Sequence, residues 1–153
     1  DINGEMVKRA SGKGLEVYEK NAQDYLTDTP SSSLSAITGM HIVEHIPFPE
    51  LVRILSECYR ALRPGGLAIF ETPNPETLLV GSYSFYLDPS HLHPLPPELL
   101  SFTLEFCGFH KTKILRLHPF KETSSKKSNK PEIDEINQKL YGPLDYAVIG
   151  YKA

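Results

Sequence analysis

The chain has no tryptophan, two cysteines and two methionines in 153 residues. None of its apolar runs approaches the ~20 residues that a bilayer-spanning helix needs. That absence argues against a helical membrane span. The opening Asp-Ile-Asn-Gly-Glu has no signal-peptide character, so the expected location is cytoplasmic. Cys58 and Cys107 stand far apart without a Cys-x-x-Cys spacing, which indicates neither a disulfide framework nor a thiolate zinc site; both read as small core residues. A dominant sign of charge is also missing. The 16 Lys and Arg against 19 Asp and Glu give a formal net charge of -3 and a pI near 6.1, so bulk electrostatics offers nucleic acid no attraction. With 40% hydrophobic and 23% charged residues, the chain has the size and composition of one globular domain over 1–153, and no internal repeat is visible.

Periodicity places the elements. Met6, Val7 and Ala10 fall on one face of a short helix ending near Gly12 or Gly14. Leu15-Glu16-Val17-Tyr18 alternates as a short strand, and a second helix covers Ala22 to Leu26. Ser35 to Met40, entered through Leu34, reads as a mostly buried strand in which Gly39 permits a close backbone approach. After Pro47 and Pro49, Leu51, Ile54, Leu55, Cys58, Tyr59 and Leu62 recur at helical spacing until Arg63-Pro64-Gly65-Gly66 stops them, and Leu67 to Glu71 follows as an interior strand. Residues 72–97 are rich in Pro, Ser, Tyr and His, too irregular for a long element and too aromatic for a plain linker. Pro97 opens a helix that carries Leu100, Leu104 and Cys107 and ends at Gly108; Lys113 to Leu117 is a strand, and Tyr146 to Tyr151 a terminal strand. The polar residues from Pro119 to Pro131 read as a mobile loop.

Strands alternating with helices predict an α/β layer architecture, its sheet mainly parallel and closed by an antiparallel C-terminal strand. Ligands of such sheets sit at the carboxyl ends of the strands, which selects Asp1, Asn21, Met40 to His45 and Glu71 to Asn74. Asp1 suits hydrogen bonding to ribose hydroxyls, or equally a helix N-cap. His41-Ile42-Val43-Glu44-His45 has the H-x-x-E-H order of a zinc metallopeptidase, yet that site needs both histidines on one helix face, and Gly39, Pro47 and Pro49 leave no room for the helix. Asp88, His91 and His93, with His45, offer imidazole and carboxylate ligands. Turn capping or acceptor binding explains that loop better, so no metal is expected. Seven Lys or Arg against one Glu between Lys111 and Lys130 read as a solvated stretch, with attraction of an acidic glycan as the alternative.

Together these strings resemble the class I methyltransferases that use S-adenosylmethionine, from Asp1 to Lys152. Arg60-Ala61-Leu62-Arg63-Pro64-Gly65-Gly66-Leu67-Ala68-Ile69 is similar to that family's helix, Pro-Gly-Gly turn and fifth strand. Phe70-Glu71-Thr72-Pro73-Asn74-Pro75 and Phe85-Tyr86-Leu87-Asp88-Pro89-Ser90-His91 resemble a bacterial subgroup found beside glycosyltransferases and surface-polysaccharide enzymes. The resemblance implies a Rossmann-like, three-layer α/β/α sheet and methyl transfer to a hydroxyl, phosphate or amine of a small or glycan-linked acceptor. It also implies a glycosyltransferase as partner or fused domain. Asp1 would hold the cofactor ribose, with Ile2 against adenine. Asn21-Ala22 would contact the adenine amino group, Asn replacing the family's Asp. Met40 and His41 would lie under the methionine part, and Glu44-His45 near the methyl group.

A sulfonium methyl is already electrophilic, so the protein mainly aligns donor and acceptor and takes up a proton. His45 is the first candidate base and His91 the second, because histidine exchanges protons near neutral pH; a structural hydrogen bond is the alternative for each. The family's Gly-rich turn and first two strands have no counterpart here, so the expectation is an N-terminally truncated domain, the C-terminal two thirds. Such a fragment should bind S-adenosylmethionine weakly, the rival being a catalytically inactive interaction module of the same fold.

Overall fold

A computed structural model describes residues 1–120 and 130–153. Asn3 caps α1 (Gly4–Ser11), its Oδ1 accepting from the amides of Glu5 and Met6 at 3.0 and 3.3 Å. Asn21 caps α2 (Ala22–Asp28) by accepting from the Asp24 amide at 2.7 Å. There follow β1 (Leu34–Met40), a 3-10 turn (Val43–His45), α3 (Phe48–Ala61) and β2 (Leu62–Pro73). Next come α4 (Leu78–Ser82), a second 3-10 turn (Ser84–Leu87), α5 (Pro97–Phe106), β3 (His110–Pro119), α6 (Pro131–Tyr141) and β4 (Pro143–Tyr151).

The four strands form one sheet in the order β1-β2-β4-β3. β1 and β2 pair in parallel, and β4 runs antiparallel to both β2 and β3. Three strands thus point one way and the C-terminal strand the other, as the sequence predicts. The carboxyl ends of β1, β2 and β3 therefore share one sheet edge with the amino end of β4, and the histidine and carboxylate groups described below lie on that edge.

The even-numbered residues of β2 from Gly66 to Thr72 are buried and the odd-numbered ones half-buried, the period-two signature of a strand with one well-covered face. On that face Ala68, Phe70, Tyr146 and Val148 meet Leu51, Ile54, Leu55 and Cys58 of α3 and Leu100 and Leu104 of α5. Burial pushes the Cys58 thiol up to about 12, which makes it an inert core residue. The Tyr146 hydroxyl, inside this core, donates to the Leu95 carbonyl at 2.8 Å.

Three expectations need correction, and two segments hold helices that the sequence did not announce. β1 is not mostly buried: Gly39 alone of its residues is, since no strand pairs with its outer edge among the described residues. Leu15 to Tyr18 forms no strand: a strand needs a ladder, and this segment's recorded backbone bonds run to Ala10 and the chain start, with Leu15 and Tyr18 exposed. Arg63 to Gly66 does not end one element before another begins. Leu62 already pairs with Leu34, and the excursion appears as a register shift within β2, Gly65 taking φ +76°. The Pro-rich stretch after Pro73 contains α4, capped by Thr77, and the Ser84–Leu87 turn. Pro131–Tyr141 is helical, with Pro131 at its first turn and Glu132 and Asp134 complementing its N-terminal dipole. The predicted loop over 119–131 falls largely outside the described residues.

Gly39 does permit the close approach expected of it, because a Cβ there would lie 2.7 Å from Cδ1 of Phe70. Gly39→Ala should cost about 1–3 kcal/mol by overpacking. Urea unfolding measures it, and a change under about 0.5 kcal/mol would contradict the packing account.

Candidate functional site at the strand ends

β1 ends at Met40, and His41 then adopts φ +50°, a left-handed conformation that costs a non-glycine residue about 1 kcal/mol or more. Its amide still donates to the Glu71 carbonyl at 2.9 Å. The sharp exit from the strand lets the Val43–His45 turn form immediately beyond it, before Pro47 and α3. Glu44 is fully buried there. Its Oε2 accepts from the Thr72 hydroxyl at 2.8 Å, whereas Oε1 accepts no hydrogen bond among the described residues. Facing Oε1 are His41 Nδ1 at 3.3 Å and His91 Nε2 at 4.0 Å.

The two imidazoles expected to take a proton lie together, the His45 and His91 ring centroids 4.8 Å apart. His91 Nδ1 is 2.6 Å from the Phe85 carbonyl. A carbonyl only accepts, so Nδ1 carries the proton and Nε2 faces the carboxylates of Glu44 and Asp88. His45 Nδ1 is 3.2 Å from the Ser90 carbonyl and 3.1 Å from Ser90 Oγ. The one proton of that hydroxyl goes to Asp88 Oδ1 at 2.5 Å, so here too Nδ1 is the donor and Nε2 is left with its lone pair. The Ser90 hydroxyl and amide hold the Asp88 carboxyl below the usual carboxylate range. Asp88 thus caps its turn, as the loop composition implied.

A second group lies beside the first. His41 Nε2 is 3.6 Å from Glu71 Oε1 and 3.9 Å from Asp145 Oδ1, and His118 Nδ1 is 2.9 Å from Asp145 Oδ2. His118 also has positive φ, at +52°. One sheet edge therefore carries four carboxylates (Glu44, Glu71, Asp88 and Asp145) and four imidazoles, an arrangement suited to a cationic or proton-donating ligand.

Of the residues selected from sequence, Met40, His41, Glu44, His45 and His91 come together at this edge, Met40 half exposed beside Glu71. The H-x-x-E-H reading gains no helix: its two histidines separate, donor atoms of His45 falling within 4.8 Å of those of Glu44 and His91, and those of His41 within 4.8 Å of Glu71 and Asp145. Asp1, Ile2, Asn21 and Ala22 sit in the α1–α2 region. There Asp1 accepts from the Asn3 amide at 2.8 Å, Asn21 caps α2, and Ile2 is 76% exposed. His118 and Asp145 escaped sequence selection. Asp145 lies near the start of β4, and only the antiparallel direction of that strand, which its terminal position had already suggested, brings it to the edge where the others end.

A separate recess of about 310 Å³ is lined by Asn74, Glu76, Thr77, Arg116 and residues of α6, none of them from the histidine groups. Arg116 bonds both oxygens of Glu76 at 2.7 Å and holds that carboxyl below its usual range. This bidentate pair compensates the charges of Arg116 and Glu76 with each other.

Thr72→Val keeps the side-chain shape and removes the hydroxyl that bonds Glu44, leaving a buried carboxylate with neither oxygen hydrogen-bonded. Unfolding in chelator should show a loss of about 1.5–3 kcal/mol. An unchanged midpoint would mean that Glu44 is not buried as an ion.

Residues 1–70 match the family model described as "Methyltransferase domain". The crystal structure of an S-adenosylmethionine-dependent methyltransferase from Archaeoglobus fulgidus is 34% identical and superposes with a TM-score of 0.89 over 99% of this chain and 74% of its own. A Mycolicibacterium smegmatis protein named "Probable S-adenosylmethionine-dependent methyltransferase" is 34% identical over 80 residues, covering 52% of this chain and 30% of its own. The ubiquinone biosynthesis O-methyltransferase of Nitrosococcus oceani is 33% identical over 63 residues, covering 40% of this chain and 26% of its own. The matches thus span under a third of these two curated relatives. With the sheet order, the strand directions and a near-complete superposition in agreement, the chain belongs to the class I S-adenosylmethionine-dependent methyltransferase family.

Proposed function

We propose that the protein carrying this chain transfers a methyl group from S-adenosylmethionine to a hydroxyl, phosphate or amine of a small or glycan-linked acceptor. The observation that supports this best is the meeting of Glu44, His45 and His91 at the strand ends, each with a defined hydrogen-bonding state. In the transfer, an acceptor oxygen or nitrogen lone pair forms the new bond to the methyl carbon, the carbon–sulfur pair returns to sulfur, and the acceptor's proton passes to His45 Nε2. His91 is the second candidate for that proton. Nearby carboxylates favour a cationic sulfonium over its neutral product, which helps to bind the donor and release what remains of it. Met40, His41 and Glu44 would flank the methionine end, and Asp1, Ile2, Asn21 and Ala22 the nucleoside.

The 70–75 and 85–91 strings, which resemble enzymes found beside glycosyltransferases, support a glycan-linked acceptor, a glycosyltransferase partner or fused domain, and a cytoplasmic setting. The relatives' names support oxygen as the accepting atom. A catalytically inactive module is the competing reading, favoured by the outer edge of β1, which pairs with no strand among the described residues. For the same reason we propose that these residues alone hold the donor weakly.

Three measurements test the reading. Methyl-labelled S-adenosylmethionine supplied to the native protein with cell-envelope sugar, phosphate and amine acceptors should give label transfer. His45→Ala should reduce kcat about 10²–10⁴-fold with little change in donor affinity. A loss under threefold would remove His45 as the base, and no transfer to any acceptor would favour the inactive module. Calorimetric titration of the 153-residue chain should show a donor Kd weaker than about 100 µM, roughly -5.5 kcal/mol. Micromolar affinity would contradict the proposed weakness.

A further inference from the structure

Glu44 presents a problem that the methyl-transfer reading does not solve. A carboxylate with no solvent contact needs both oxygens compensated, yet only Oε2 has a hydrogen-bond partner. Neither imidazole supplies the missing bond. His41 Nδ1 approaches Oε1 to 3.3 Å without hydrogen-bonding it, and His91 Nε2 is 4.0 Å away, well beyond the about 2.7–2.9 Å of a charged N–H···O bond. A positive charge between these groups would satisfy both the carboxylate and the lone pairs facing it.

We infer that Glu44, His45 and His91 bind one divalent first-row transition-metal ion, through Glu44 Oε1, His91 Nε2 and the imidazole of His45. One donor atom from each residue already lies within 4.8 Å of the other two. Donors around an ion with bonds of about 2.0–2.2 Å stand roughly 3.4 Å apart, so small rotations of the two rings close the set. Each ring is also prepared for ligation, because its Nδ1–H is committed to a backbone carbonyl, Phe85 for His91 and Ser90 for His45. Such outer bonds fix the tautomer and orientation of metal-bound histidines. The Asp88–Ser90–His45 chain and the Thr72–Glu44 bond complete that support. Two imidazoles and one carboxylate suit Zn²⁺, Co²⁺ or Fe²⁺ better than Ca²⁺ or Mg²⁺, which prefer all-oxygen sets. Three protein ligands leave coordination positions open to a small oxygen donor.

This inference goes beyond the proposed transfer and is tested separately from it. Ligation would occupy the lone pairs assigned above to proton uptake, and the binding test needs neither donor nor acceptor. Chelator-treated protein titrated calorimetrically with Zn²⁺ should bind one equivalent with a Kd below about 10 µM. Co²⁺ should develop visible d–d bands characteristic of nitrogen and oxygen ligands. Glu44→Gln, which keeps the shape of the side chain, and His91→Ala should each weaken Zn²⁺ binding about 100-fold. His41→Ala, which removes a ring outside the set, should change it less than threefold. Circular dichroism of the metal-free variants checks folding, and should His91→Ala unfold, the Co²⁺ spectrum of Glu44→Gln against the parent decides. Three results would overturn the inference: no binding tighter than about 100 µM; binding lost with His41 but kept without His91, which would locate the ion at Glu71 and Asp145; or an intense near-ultraviolet band from thiolate ligation. Methyl transfer that persists in chelator alongside tight Zn²⁺ binding would leave the site standing and separate it from the reaction.

Discussion

The burial of the Glu44 carboxylate against Thr72 is the constraint on which the site depends. Thr72 belongs to the buried face of β2, so its hydroxyl is set by the sheet itself. By accepting from it, Glu44 ties the Val43–His45 turn to the sheet and directs its second oxygen toward His41 and His91. The left-handed turn at His41 is what lets a chain leaving β1 fold back so quickly. Backbone strain and a half-compensated carboxylate at one place are departures from local economy that a fold concerned only with stability would avoid.

Topology supplies the rest of the edge. Because β4 runs against its neighbours, Asp145 at its start stands beside Glu71 near the end of β2 and His118 near the end of β3. Residues distant in sequence are brought within ion-pair range by strand direction. The α1–α2 region contributes no side chain to this cluster; it is tied to the body through Arg60 of α3, which donates to the Leu26 and Thr29 carbonyls.

Much of this was legible in the amino-acid order, for identifiable reasons. Helical spacing in α3 and the Pro97 start of α5 depend on local patterns that packing then confirmed. Gly39 signalled a close approach, and Phe70 is what approaches it. The His41–His45 string was visible as a site because it follows a strand. Leu15 to Tyr18 misled because alternation describes a strand's faces and says nothing of its ladder. Residues 131–141 were hidden because Pro131 followed a polar run and the helix carries no buried residue among those described. His118 and Asp145 required knowing the strand order, and the unbonded oxygen of Glu44 required coordinates; no residue pattern reveals either.

The central claim is that the donor's methionine end and the acceptor meet at Met40–His45 and His91. Weak binding suits nuclear magnetic resonance, in which amide shifts are followed as S-adenosylhomocysteine is added to millimolar concentration. The account predicts the largest shifts at Met40, His41, Glu44, His45 and His91. Shifts confined to Asn74, Glu76, Arg116 and α6, with the strand-end residues unmoved, would contradict it.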